Sequence, residues 1–412
     1  MVEVVKPADS RDLEEIISDA LHSRKSLEIS GKGSKSTLGH PMEVSQKVSL
    51  AGLNGITLYE PEELVLTARA GTPLADIEST LAQNHQELAF EPPSWGSLLG
   101  NAEVQTLGGV IATNIGGPRR FRAGAPRDHL LGVSMVTGRG ETVKTGGRVV
   151  KNVTGYDLCK LIAGSYGTLA VASELTVKVL PAGDKIRTVL VSGLDAREGV
   201  KVMTEALASP YDVSAAAYIT KEITKRSGVS YISNSNATIT AVRVEGAVPS
   251  VVARCRALKN LFRKNGDIEE LHFHNSKRFW AEIGNVSPYI DEVGPVWKIS
   301  VPPSNAVEIV KTIGDKTASE FYFDWGGGLI WLRIIGHHKD GGAHLVRAAI
   351  NSCGGDATLI RASCDVRSCV PVFEPQGNAV TLLTQRIKKG FDPAGILNPG
   401  RMCLLPRTEH AD

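Results

Sequence analysis

The sequence predicts an α+β protein, and three features of its pattern support that prediction. In residues 1–181, short apolar strands alternate with helical segments and glycine-rich loops. In residues 182–375, strands and amphipathic helices follow the order β-α-β-β-α-β twice, which builds an antiparallel sheet with helices on one face. Residues 376–412 contain one helical pattern and a short closing segment. We therefore expect a first domain, a cap domain, and a C-terminal segment that returns to the first domain.

The composition is that of an ordinary globular chain. Of the 412 residues, 42% are hydrophobic and 22% are charged, so the chain is long enough for two or three domains with a large core. The 46 Lys and Arg residues nearly balance the 44 Asp and Glu residues, which argues against binding to nucleic acid or to a membrane surface. No apolar run is long enough to span a membrane, and the start resembles no signal peptide, so we expect a cytoplasmic protein.

The cysteines point to no metal site. The six cysteines include no C-x-x-C pair. Iron–sulfur clusters and zinc ions need clustered ligands at characteristic spacings. We therefore expect free thiols in a reducing compartment and no bound metal.

The first strands and helices follow from caps and apolar periodicity. Asp9 is placed to cap a helix whose apolar positions recur at helical spacing, at Leu13, Ile16, Ile17, Ala20 and Leu21. A strand over Leu27–Ser30 comes next, and another spans Leu64–Ala70. Thr72, followed by Pro73, then predicts the start of a second helix.

The strand Leu27–Ser30 runs directly into a loop of small and basic residues, Gly31-Lys32-Gly33-Ser34-Lys35-Ser36. Such a loop presents backbone N–H groups and positive charge, which suit a phosphate. It is neither of two standard phosphate loops. A Walker loop needs Gly-Lys followed by Ser or Thr, and a dinucleotide fingerprint needs a third Gly where Ser36 stands. A solvated turn is the alternative interpretation.

A second glycine-rich stretch spans residues 106–118. Gly108 and Gly109 permit a positive φ and the close approach of a flat ligand, while Val110 and Ile111 anchor the stretch in a core. The polar groups that follow are those of Thr113 and Asn114. An ordinary glycine-rich turn between two buried strands is the alternative.

Three further signals complete the first domain. Four arginines follow the glycine-rich stretch, and we expect solvent or a partner protein, rather than a ligand, to face them: Arg119, Arg120, Arg122 and Arg127. A hairpin is predicted for 131–144 around Gly138-Arg139-Gly140. Gly164–Thr168 predicts a tight turn before a buried strand that ends near Pro181.

The cap contains two β-α-β-β-α-β units. The first has a strand at 186–192, a helix to Ala208 capped by Asp195, strands at 213–220 and 238–245, and a helical face over 251–262. The second has a strand at 296–301, a helix at 304–313, strands at 320–324 and 328–335, a helix at 342–352 and a strand at 357–361. We expect both units to form one wide cap. A loop over 362–380 and a helix near 379–389 lead to the closing segment.

Five segments together resemble the FAD-binding family of the vanillyl-alcohol oxidase type, also called PCMH-type. Four are Gly-Lys-Gly-Ser-Lys at 31–35, Leu-Gly-Gly-Val-Ile-Ala-Thr-Asn at 107–114, Asn-Val-Thr-Gly-Tyr-Asp-Leu at 152–158 and Gly-Ser-Tyr-Gly-Thr-Leu-Ala at 164–170. The fifth is the closing segment Phe-Asp-Pro-Ala-Gly-Ile-Leu-Asn-Pro-Gly-Arg at 391–401. The resemblance covers essentially the whole chain. It implies a two-subdomain FAD-binding domain with an α+β cap built on an antiparallel sheet.

The resemblance implies FAD as the cofactor. Backbone N–H groups of residues 30–36 would hold its pyrophosphate, and residues 108–114 and 164–171 would line the dinucleotide. The implied FAD-binding residues are Ser30, Gly31, Lys32, Gly33, Ser34, Lys35, Ser36, Pro92, Gly108, Gly109, Ala112, Thr113, Asn114, Gly164, Gly167, Thr168, Leu169, Val171 and Asn398. Relatives that link the flavin covalently often use a His in the phosphate loop. The nearest here, His40, lies past the motif, so we expect non-covalent binding.

The resemblance also implies an activity and partners. The reaction would be the oxidation of glycolate or a similar small 2-hydroxy acid to the 2-oxo acid. Electrons would leave through an iron–sulfur subunit of the same complex, since this chain has no cluster-binding cysteine pattern, and a sister flavoprotein subunit would carry the catalysis. Contact with the inner membrane would occur only through these partners. Two other hypotheses stay open: a self-sufficient flavin-dependent alcohol or lactone oxidase, and a non-catalytic flavoprotein scaffold.

The sequence assigns no catalytic residue. Three histidines and an aspartate cluster in the cap, but the pattern places them on a turn, so we expect an exposed loop rather than a metal site: His337, His338, Asp340 and His344. The 2-hydroxy-acid enzymes of the resembled family carry His where Trp325 and Trp331 stand here. An indole donates a hydrogen bond but neither accepts a proton nor binds a divalent ion, so we expect this chain to need its sister flavoprotein.

Overall fold

The structure, a computed structural model, describes residues 2–148 and 155–403. A three-stranded parallel sheet comes first, made of β1 (Glu3–Val5), β2 (Leu27–Ser30) and β3 (Gln46–Ser49) in the spatial order β1-β3-β2. Helix α1 (Ser10–Ser23) connects β1 to β2. The carboxylate of Asp9 accepts hydrogen bonds from the backbone N–H groups of Arg11 and Asp12, which confirms the predicted cap.

A five-stranded antiparallel sheet completes the first part of the chain, in the order β4-β5-β9-β7-β8, and β6 pairs with β10 beside it. These strands are β4 (Ile56–Glu60), β5 (Val65–Arg69), β6 (Gln86–Glu87), β7 (Leu130–Thr137), β8 (Thr142–Gly146), β9 (Ala170–Lys178) and β10 (Leu180–Pro181). The helices are α2 (Leu74–Ala82), α3 (Leu107–Thr113), α4 (Arg120–Ala123), α5 (Pro126–His129) and α6 (Leu158–Ile162). The predicted hairpin is confirmed as β7 and β8. Residues 151–154, which include part of the 152–158 motif, lie outside the described residues.

The predicted cap of α2 is wrong. The helix begins at Leu74, one residue later than expected, with Pro73 at the capping position. The Thr72 hydroxyl is instead hydrogen-bonded to the backbone N–H and carbonyl of Gly55, at 3.0 and 3.2 Å. The side chain therefore joins two loops, a use that the local sequence does not reveal.

Gly108 and Gly109 do not use the positive φ that glycine permits. Both glycines belong to helix α3, and neither is left-handed. The hydroxyl of Thr106 caps this helix by accepting a hydrogen bond from the Gly109 N–H at 3.3 Å. Any requirement for glycine at these two positions must therefore come from what lies near their Cα atoms.

The cap is one eight-stranded antiparallel sheet, which confirms the prediction of two joined β-α-β-β-α-β units. Its strands are β11 (Lys185–Ser192), β12 (Ala215–Ile219), β13 (Ile239–Gly246), β14 (Asp267–Leu271), β15 (Val296–Ser300), β16 (Ser319–Asp324), β17 (Leu329–Ile334) and β18 (Asp356–Arg361). The spatial order is β14-β11-β13-β12-β16-β17-β15-β18. The two units therefore meet edge to edge through β12 and β16.

Five of the remaining helices match the sequence prediction, and the four that it did not assign are Lys221–Thr224, Ser230–Ser233, Phe273–Gly284 and Cys364–Cys369. In the described part of the chain, the remaining helices are α7 (Ala196–Ala208), α8 (Lys221–Thr224), α9 (Ser230–Ser233), α10 (Val248–Phe262), α11 (Phe273–Gly284), α12 (Pro303–Gly314), α13 (Ala343–Ile350), α14 (Cys364–Cys369) and α15 (Asn378–Phe391). Helix α14 interrupts the predicted loop over 362–380 and is too short to leave an apolar period. None of the helices in the described ranges is long and apolar enough to cross a membrane.

The two faces of the cap sheet have different neighbours. One face buries Trp297 and Phe323 in a core with residues of α12 and α13. The other face shares a core with the first part of the chain, where the rings of Trp95 and Trp331 meet edge to face with centroids 5.3 Å apart. The sheet is therefore held over the first part of the chain by aromatic packing.

Five charged side chains reinforce this contact. Arg119 forms ion pairs with Glu87 and Glu91 of the first part and with Glu245 of β13. Arg243, also on β13, donates two hydrogen bonds of 2.8 Å to the Glu91 carboxylate. Burial pushes the pKa of Glu245 upward, but Arg243 and Arg119 outweigh it and leave that pKa below its ordinary value. The cluster is thus a partly buried ion network of two arginines and three glutamates.

The expectation that solvent or a partner faces the four arginines is therefore wrong for Arg119, which is 6% exposed. Arg120 is half-buried. Arg122 and Arg127 are exposed, and the Arg122 guanidinium lies 2.8 Å from the Asp212 carboxylate. Only the tertiary structure distinguishes the buried arginine from the exposed ones, because four arginines in one short segment look alike in sequence.

We predict that Arg243→Met destabilises the fold. Removing one partner of a buried ion pair costs about 3–5 kcal/mol, and the lower end applies here because Arg119 still neutralises part of the Glu91 charge. The free energy of unfolding, measured by urea denaturation, should fall by about 3 kcal/mol. Arg122→Met removes an exposed pair and should cost less than about 1 kcal/mol. Equal stabilities of the two variants would show that the cluster does not hold the cap in place.

Candidate functional site

A cleft of about 880 Å³, including its open side, lies in the first part of the chain. Four pieces of chain line it: the end of β2 with the loop that follows, helix α3, the segment 162–172, and the closing segment. The volume is within the range of ligand-binding sites in proteins. The cleft is therefore the candidate functional site.

Most of the predicted FAD-binding residues line this cleft. They are Ser30, Gly31, Lys32, Gly33, Ser34, Lys35, Ser36, Gly108, Gly109, Ala112, Thr113, Gly167, Val171 and Asn398. Fold and sequence thus bring together four stretches separated by up to several hundred residues. Their predicted role toward FAD stays a prediction.

Five predicted residues do not line the cleft. Asn114 ends α3 in a left-handed conformation, and its Oδ1 accepts a hydrogen bond from Arg127 N. The Gly164 N–H donates to the Ile111 carbonyl, and the Thr168 hydroxyl donates to the Ser165 carbonyl. The other two are Leu169, buried in the core, and Pro92, whose carbonyl accepts from Gln105 Nε2 at 3.4 Å. All five therefore make contacts within the protein instead of lining the cleft.

Twelve of the lining residues were not among the predicted FAD-binding residues. They are Ile29, Leu38, Leu50, Ala70, Thr106, Ile111, Ile162, Ser165, Tyr166, Ala170, Ala172 and Arg401. Ile111, Ser165, Tyr166 and Ala170 fall inside stretches predicted to line the dinucleotide, and Arg401 ends the closing motif. Leu50 and Ala70 carry no local signal, because apolar residues elsewhere in the chain look the same.

The two glycines of α3 face different surroundings. A Cβ atom added to Gly108 would lie 2.8 Å from the backbone oxygen of Ala70, closer than real Cβ contacts allow. A Cβ atom added to Gly109 would meet only Thr106 Oγ1, at 3.4 Å. Gly108 is therefore needed for the packing of the protein itself. Gly109 leaves open space toward the cleft.

Lys35 supplies positive charge to the cleft. Its Nζ donates a hydrogen bond of 3.2 Å to the Oε1 atom of Gln105. Among residues 2–148 and 155–403, no carboxylate lies within 4.0 Å of this ammonium group. Burial lowers the pKa of Lys35 to about 8. A lysine in this position gains from a bound anion, which would restore the charge that burial disfavours.

The hydroxyl group of Ser165 also lacks a partner. Its Oγ atom is buried and has no hydrogen-bond partner within the described part of the chain. Buried polar atoms are nearly always hydrogen-bonded, so an unsatisfied one at a cleft points to a ligand. Together with Lys35 and the open space at Gly109, this hydroxyl fits the cofactor that the sequence implies, which has an anionic diphosphate, a polar ribityl chain and a flat ring system.

The closing segment fixes both walls of the cleft. The amide of Asn398 accepts a hydrogen bond from Ile29 N and donates one to the Tyr166 carbonyl, both at 2.7 Å. The guanidinium of Arg401 donates to the carbonyls of Ser36 and Leu38, at 2.6 and 2.8 Å. The loop that follows β2 is therefore held from outside itself.

His40 has a structural position. One ring nitrogen, Nδ1, lies 2.8 Å from the Arg367 carbonyl, and the other, Nε2, accepts a hydrogen bond of 3.3 Å from Val372 N. Burial lowers the pKa of His40, so the imidazole is neutral at physiological pH. Both nitrogens are engaged, and His40 does not line the cleft.

His337, His338 and Asp340 lie in the turn between β17 and α13, as predicted, and His344 lies in the first turn of α13. His337 and His344 are exposed, and His344 Nδ1 lies 2.6 Å from the Asp340 carboxylate. His338 Nε2 lies 2.8 Å from the Thr317 hydroxyl. In the described ranges, no group of three or more His, Cys, Asp or Glu side chains is arranged to hold a metal ion.

Trp325 and Trp331, the two tryptophans considered in the sequence analysis, are packed within the protein. The indole N–H of Trp325 donates to the Gly117 carbonyl at 3.1 Å, and Trp331 is 2% exposed. Burial raises the pKa of Asp324, the residue before Trp325, to about 7. A hydrogen bond of 2.7 Å from Trp325 N to the Asp324 carboxylate has the opposite, smaller effect on this pKa. These side chains fix the inner face of the cap.

Two family models match the chain. Residues 3–146 match the model described as FAD binding domain, and residues 374–402 match the model described as FAD linked oxidases, C-terminal domain. The second match contains Asn398 and Arg401, which complete the cleft.

Full-length similarity extends to a named protein. The chain is 33% identical over 394 residues to glycolate oxidase subunit GlcE of Escherichia coli (strain K12), across 95% of this chain and 97% of that one. It is 29% identical over 188 residues to glycolate oxidase subunit GlcD of Bacillus subtilis (strain 168), across 45% of this chain and 38% of that one. Among solved structures, 4-ethylphenol oxidase from Gulosibacter chungangensis has the same fold, with a TM-score of 0.70 and 13% identity over 98% of this chain and 89% of that one.

We predict that Gly109→Val folds but binds FAD poorly. The new side chain meets no protein atom closely and projects toward the cleft, where overpacking costs roughly 1–3 kcal/mol, or about 5- to 150-fold in Kd. Flavin absorbance per protein should fall while the far-UV dichroism changes little. Gly108→Val is the matched variant, and it should lose thermal stability because its Cβ atom meets the Ala70 backbone. If Gly109→Val contained as much FAD as the wild type, helix α3 would not be part of the FAD-binding site.

Proposed function

The chain belongs to the vanillyl-alcohol oxidase type family of FAD-dependent oxidoreductases, and on that premise we propose that it is the FAD-binding E subunit of a glycolate oxidase complex. The complex would oxidise glycolate or a similar small 2-hydroxy acid to the 2-oxo acid. The similarity to subunit GlcE along nearly the whole of both chains supports this proposal. Alternatively, the chain is a non-catalytic scaffold. A scaffold would also bind FAD, but its flavin would not accept electrons.

The charge of the cleft is the structural observation that best supports an FAD site. The cleft contains a half-buried cation, Lys35, that has no carboxylate partner in the described residues. When bound, FAD supplies a two-electron acceptor for the CH–OH group of the substrate. The residues of this chain would bind and orient it: backbone N–H groups of 31–36 and the Lys35 ammonium at the diphosphate, the Ser165 hydroxyl as a further hydrogen-bond donor, and Ile111 and Ile162 as apolar lining that excludes water.

The positions of the histidines support non-covalent binding. His40 is the histidine nearest the phosphate loop in sequence, and backbone groups engage both of its ring nitrogens. Neither His nor Cys is among the described residues that line the cleft. A covalent bond to the flavin would therefore need a side chain that the cleft does not present.

We predict that the purified chain contains FAD that acid releases. Acid precipitation should leave a yellow supernatant, and chromatography should identify the flavin as FAD rather than FMN. The physical reason is that hydrogen bonds and one cation, rather than a covalent bond, retain the cofactor. Flavin that stays with the precipitate would contradict the non-covalent proposal, and FMN in the supernatant would contradict the identity of the cofactor.

The inner face of the cap supports a division of labour within the complex. Trp325 and Trp331 stand where catalytic relatives carry histidine, and neither indole can accept the hydroxyl proton of a substrate. We propose that a sister flavoprotein subunit carries the oxidation and that an iron–sulfur subunit takes the electrons. The cytoplasmic location, and membrane contact through these partners alone, belong to the same proposal.

We predict that glycolate does not rapidly reduce the flavin of this chain alone. Stopped-flow absorbance at saturating glycolate or D-lactate should show no bleaching on the ~1–10³ s⁻¹ scale of enzymatic turnover. Co-purified partners should restore reduction of bound flavin. Rapid bleaching without partners would support the self-sufficient oxidase instead, and His337, His338 and His344 would be the first residues to test as bases. A complex whose activity survives removal of FAD from this chain would support the scaffold.

A further inference from the structure

The first half of helix α15 is exposed to solvent. Each residue from 375 to 386 is exposed, whereas Ile387 and Phe391 in the second half pack against the core of the first part of the chain. The second half is also held by a hydrogen bond of 2.6 Å from Lys388 Nζ to the Thr168 carbonyl. The helix is therefore anchored at one end and unsupported at the other.

The exposed half contains three large apolar side chains. Val380, Leu382 and Leu383 are 49%, 56% and 57% exposed. At 3.6 residues per turn, these side chains and Ala379 cover about 160° of the helix circumference. Val380 and Leu383 also lie at helical spacing from Ile387, which packs on the core. The apolar stripe therefore continues past the surface that the described residues provide for it, and forms an exposed patch.

The first turns of α15 have little intrinsic helix stability. The N-cap residue is Gly377, which has no side chain to accept a hydrogen bond from the free N–H groups, and the first turn contains no acidic residue. Val380, Thr381 and Thr384 are β-branched, which lowers helix propensity. Short exposed helices are marginal in water, and most helical stability in proteins comes from tertiary packing. A contact outside the described residues is therefore needed to keep these turns helical.

The charges of α15 have one sign. The helix contains no Asp or Glu, and its exposed cations are Arg386 and Lys389. Within residues 2–148 and 155–403, no carboxylate oxygen lies within 4.0 Å of either cation. A surface that covers the apolar stripe would meet these cations at its edge. Acidic side chains at that edge would make the two surfaces electrostatically complementary.

A second copy of the same helix is a poor partner for α15. In an antiparallel pair, Lys389 of one helix would approach the N-terminal end of the other, where the helix dipole is positive. In a parallel pair, Arg386 would face its own counterpart. Neither arrangement supplies a carboxylate. Three apolar side chains and two cations also provide little area and charge for binding to a membrane surface. The charges therefore favour a different protein that carries acidic residues.

We propose that the exposed half of α15 docks into an apolar groove with acidic residues at its rim, on a partner subunit of the complex. The proposal rests on the proposed function for the existence of this partner. The three apolar side chains fill the groove, and the two cations pair with carboxylates at its rim. Lys388 fixes the second half of α15 to Thr168, next to Gly167 of the cleft lining. Docking therefore also sets the position of the partner relative to the cleft.

Hydrogen exchange of the isolated chain and of the assembled complex tests the proposal. Co-expression of this chain with the sister flavoprotein and iron–sulfur subunits provides the complex. The backbone amides of residues 378–386 should exchange rapidly in the isolated chain, because these turns lack packing. In the complex they should exchange at least about tenfold more slowly. Equal exchange rates in the two samples would overturn the proposal.

A charge on the apolar stripe should prevent docking. Leu383→Glu should weaken association with the partner subunits at least about tenfold, measured by sedimentation, because the charge would be buried in the groove. The FAD content and melting temperature of the isolated chain should not change. Val293→Glu is the matched control, because Val293 is an apolar residue of the cap that is 89% exposed. This control should associate like the wild type, and equal association of Leu383→Glu would overturn the proposal.

Charge reversal tests the acidic rim. Arg386→Glu combined with Lys389→Glu should weaken association at least about fivefold at low salt, and this difference should decrease as the salt concentration rises. The matched control combines Arg197→Glu with Lys201→Glu, which reverses two exposed cations on α7. Tighter association of the α15 variant would show that the partner surface is not acidic and would overturn the proposal.

Other occupants of the stripe give different results. A large loss of melting temperature in isolated Leu383→Glu would show that other parts of this chain, such as residues 404–412, cover the stripe. Dimerisation of the isolated wild type that Leu383→Glu abolishes would assign the stripe to a second copy. Binding of the isolated wild type to vesicles of anionic lipid, abolished by the same substitution, would assign it to a membrane. Each of these results would overturn the proposal.

Failure of this proposal is distinguishable from failure of the proposed function. If the wild-type complex assembles without oxidising glycolate, and Leu383→Glu prevents assembly, the activity is wrong and the docking site stands. If the complex oxidises glycolate and Leu383→Glu assembles like the wild type, the activity stands and the docking site is wrong. If the wild type associates with neither partner subunit, both proposals are wrong.

Discussion

The hydrogen bonds of Asn398 and Arg401 are the constraint on which the cleft depends. Asn398 joins β2 to the turn at Tyr166, and Arg401 holds the loop that follows β2 by two carbonyl oxygens. A loop of Gly, Ser and Lys has little packing of its own and would otherwise sample many conformations. The end of the chain therefore orders residues near its start. This explains physically why the closing segment belongs to the same functional unit as the first loop.

Electrostatics divides the charged residues of this protein into two groups. In the contact between the cap and the first part of the chain, Arg119 and Arg243 form ion pairs with glutamates of the protein itself. In contrast, Lys35 at the cleft has no carboxylate within ion-pair distance in the described ranges. Buried charge without a partner is unfavourable, so cations that a fold retains in this state indicate where anions bind.

The roles of the glycine and serine residues at the cleft depend on the atoms that surround each of them. Gly108 and Gly109 are adjacent in one helix, but only Gly108 is required by a backbone contact of the protein. Ser165 lies in a turn that the sequence identifies, but its unsatisfied hydroxyl becomes evident only when all its neighbours are present. The family motif locates these residues, and the folded structure assigns them different roles.

The sequence by itself determined the α+β class, the order of both cap units, and the stretches that meet at the cleft, because caps, apolar periods and glycine-rich motifs are local signals. It did not determine the helical state of Gly108 and Gly109, the contact of Thr72 with Gly55, or helix α14. Nor could it separate Arg119, buried among glutamates, from exposed Arg127. Those outcomes depend on which side chains come from distant segments, and a glutamate on β13 leaves no trace in the sequence around Arg119, with which it pairs.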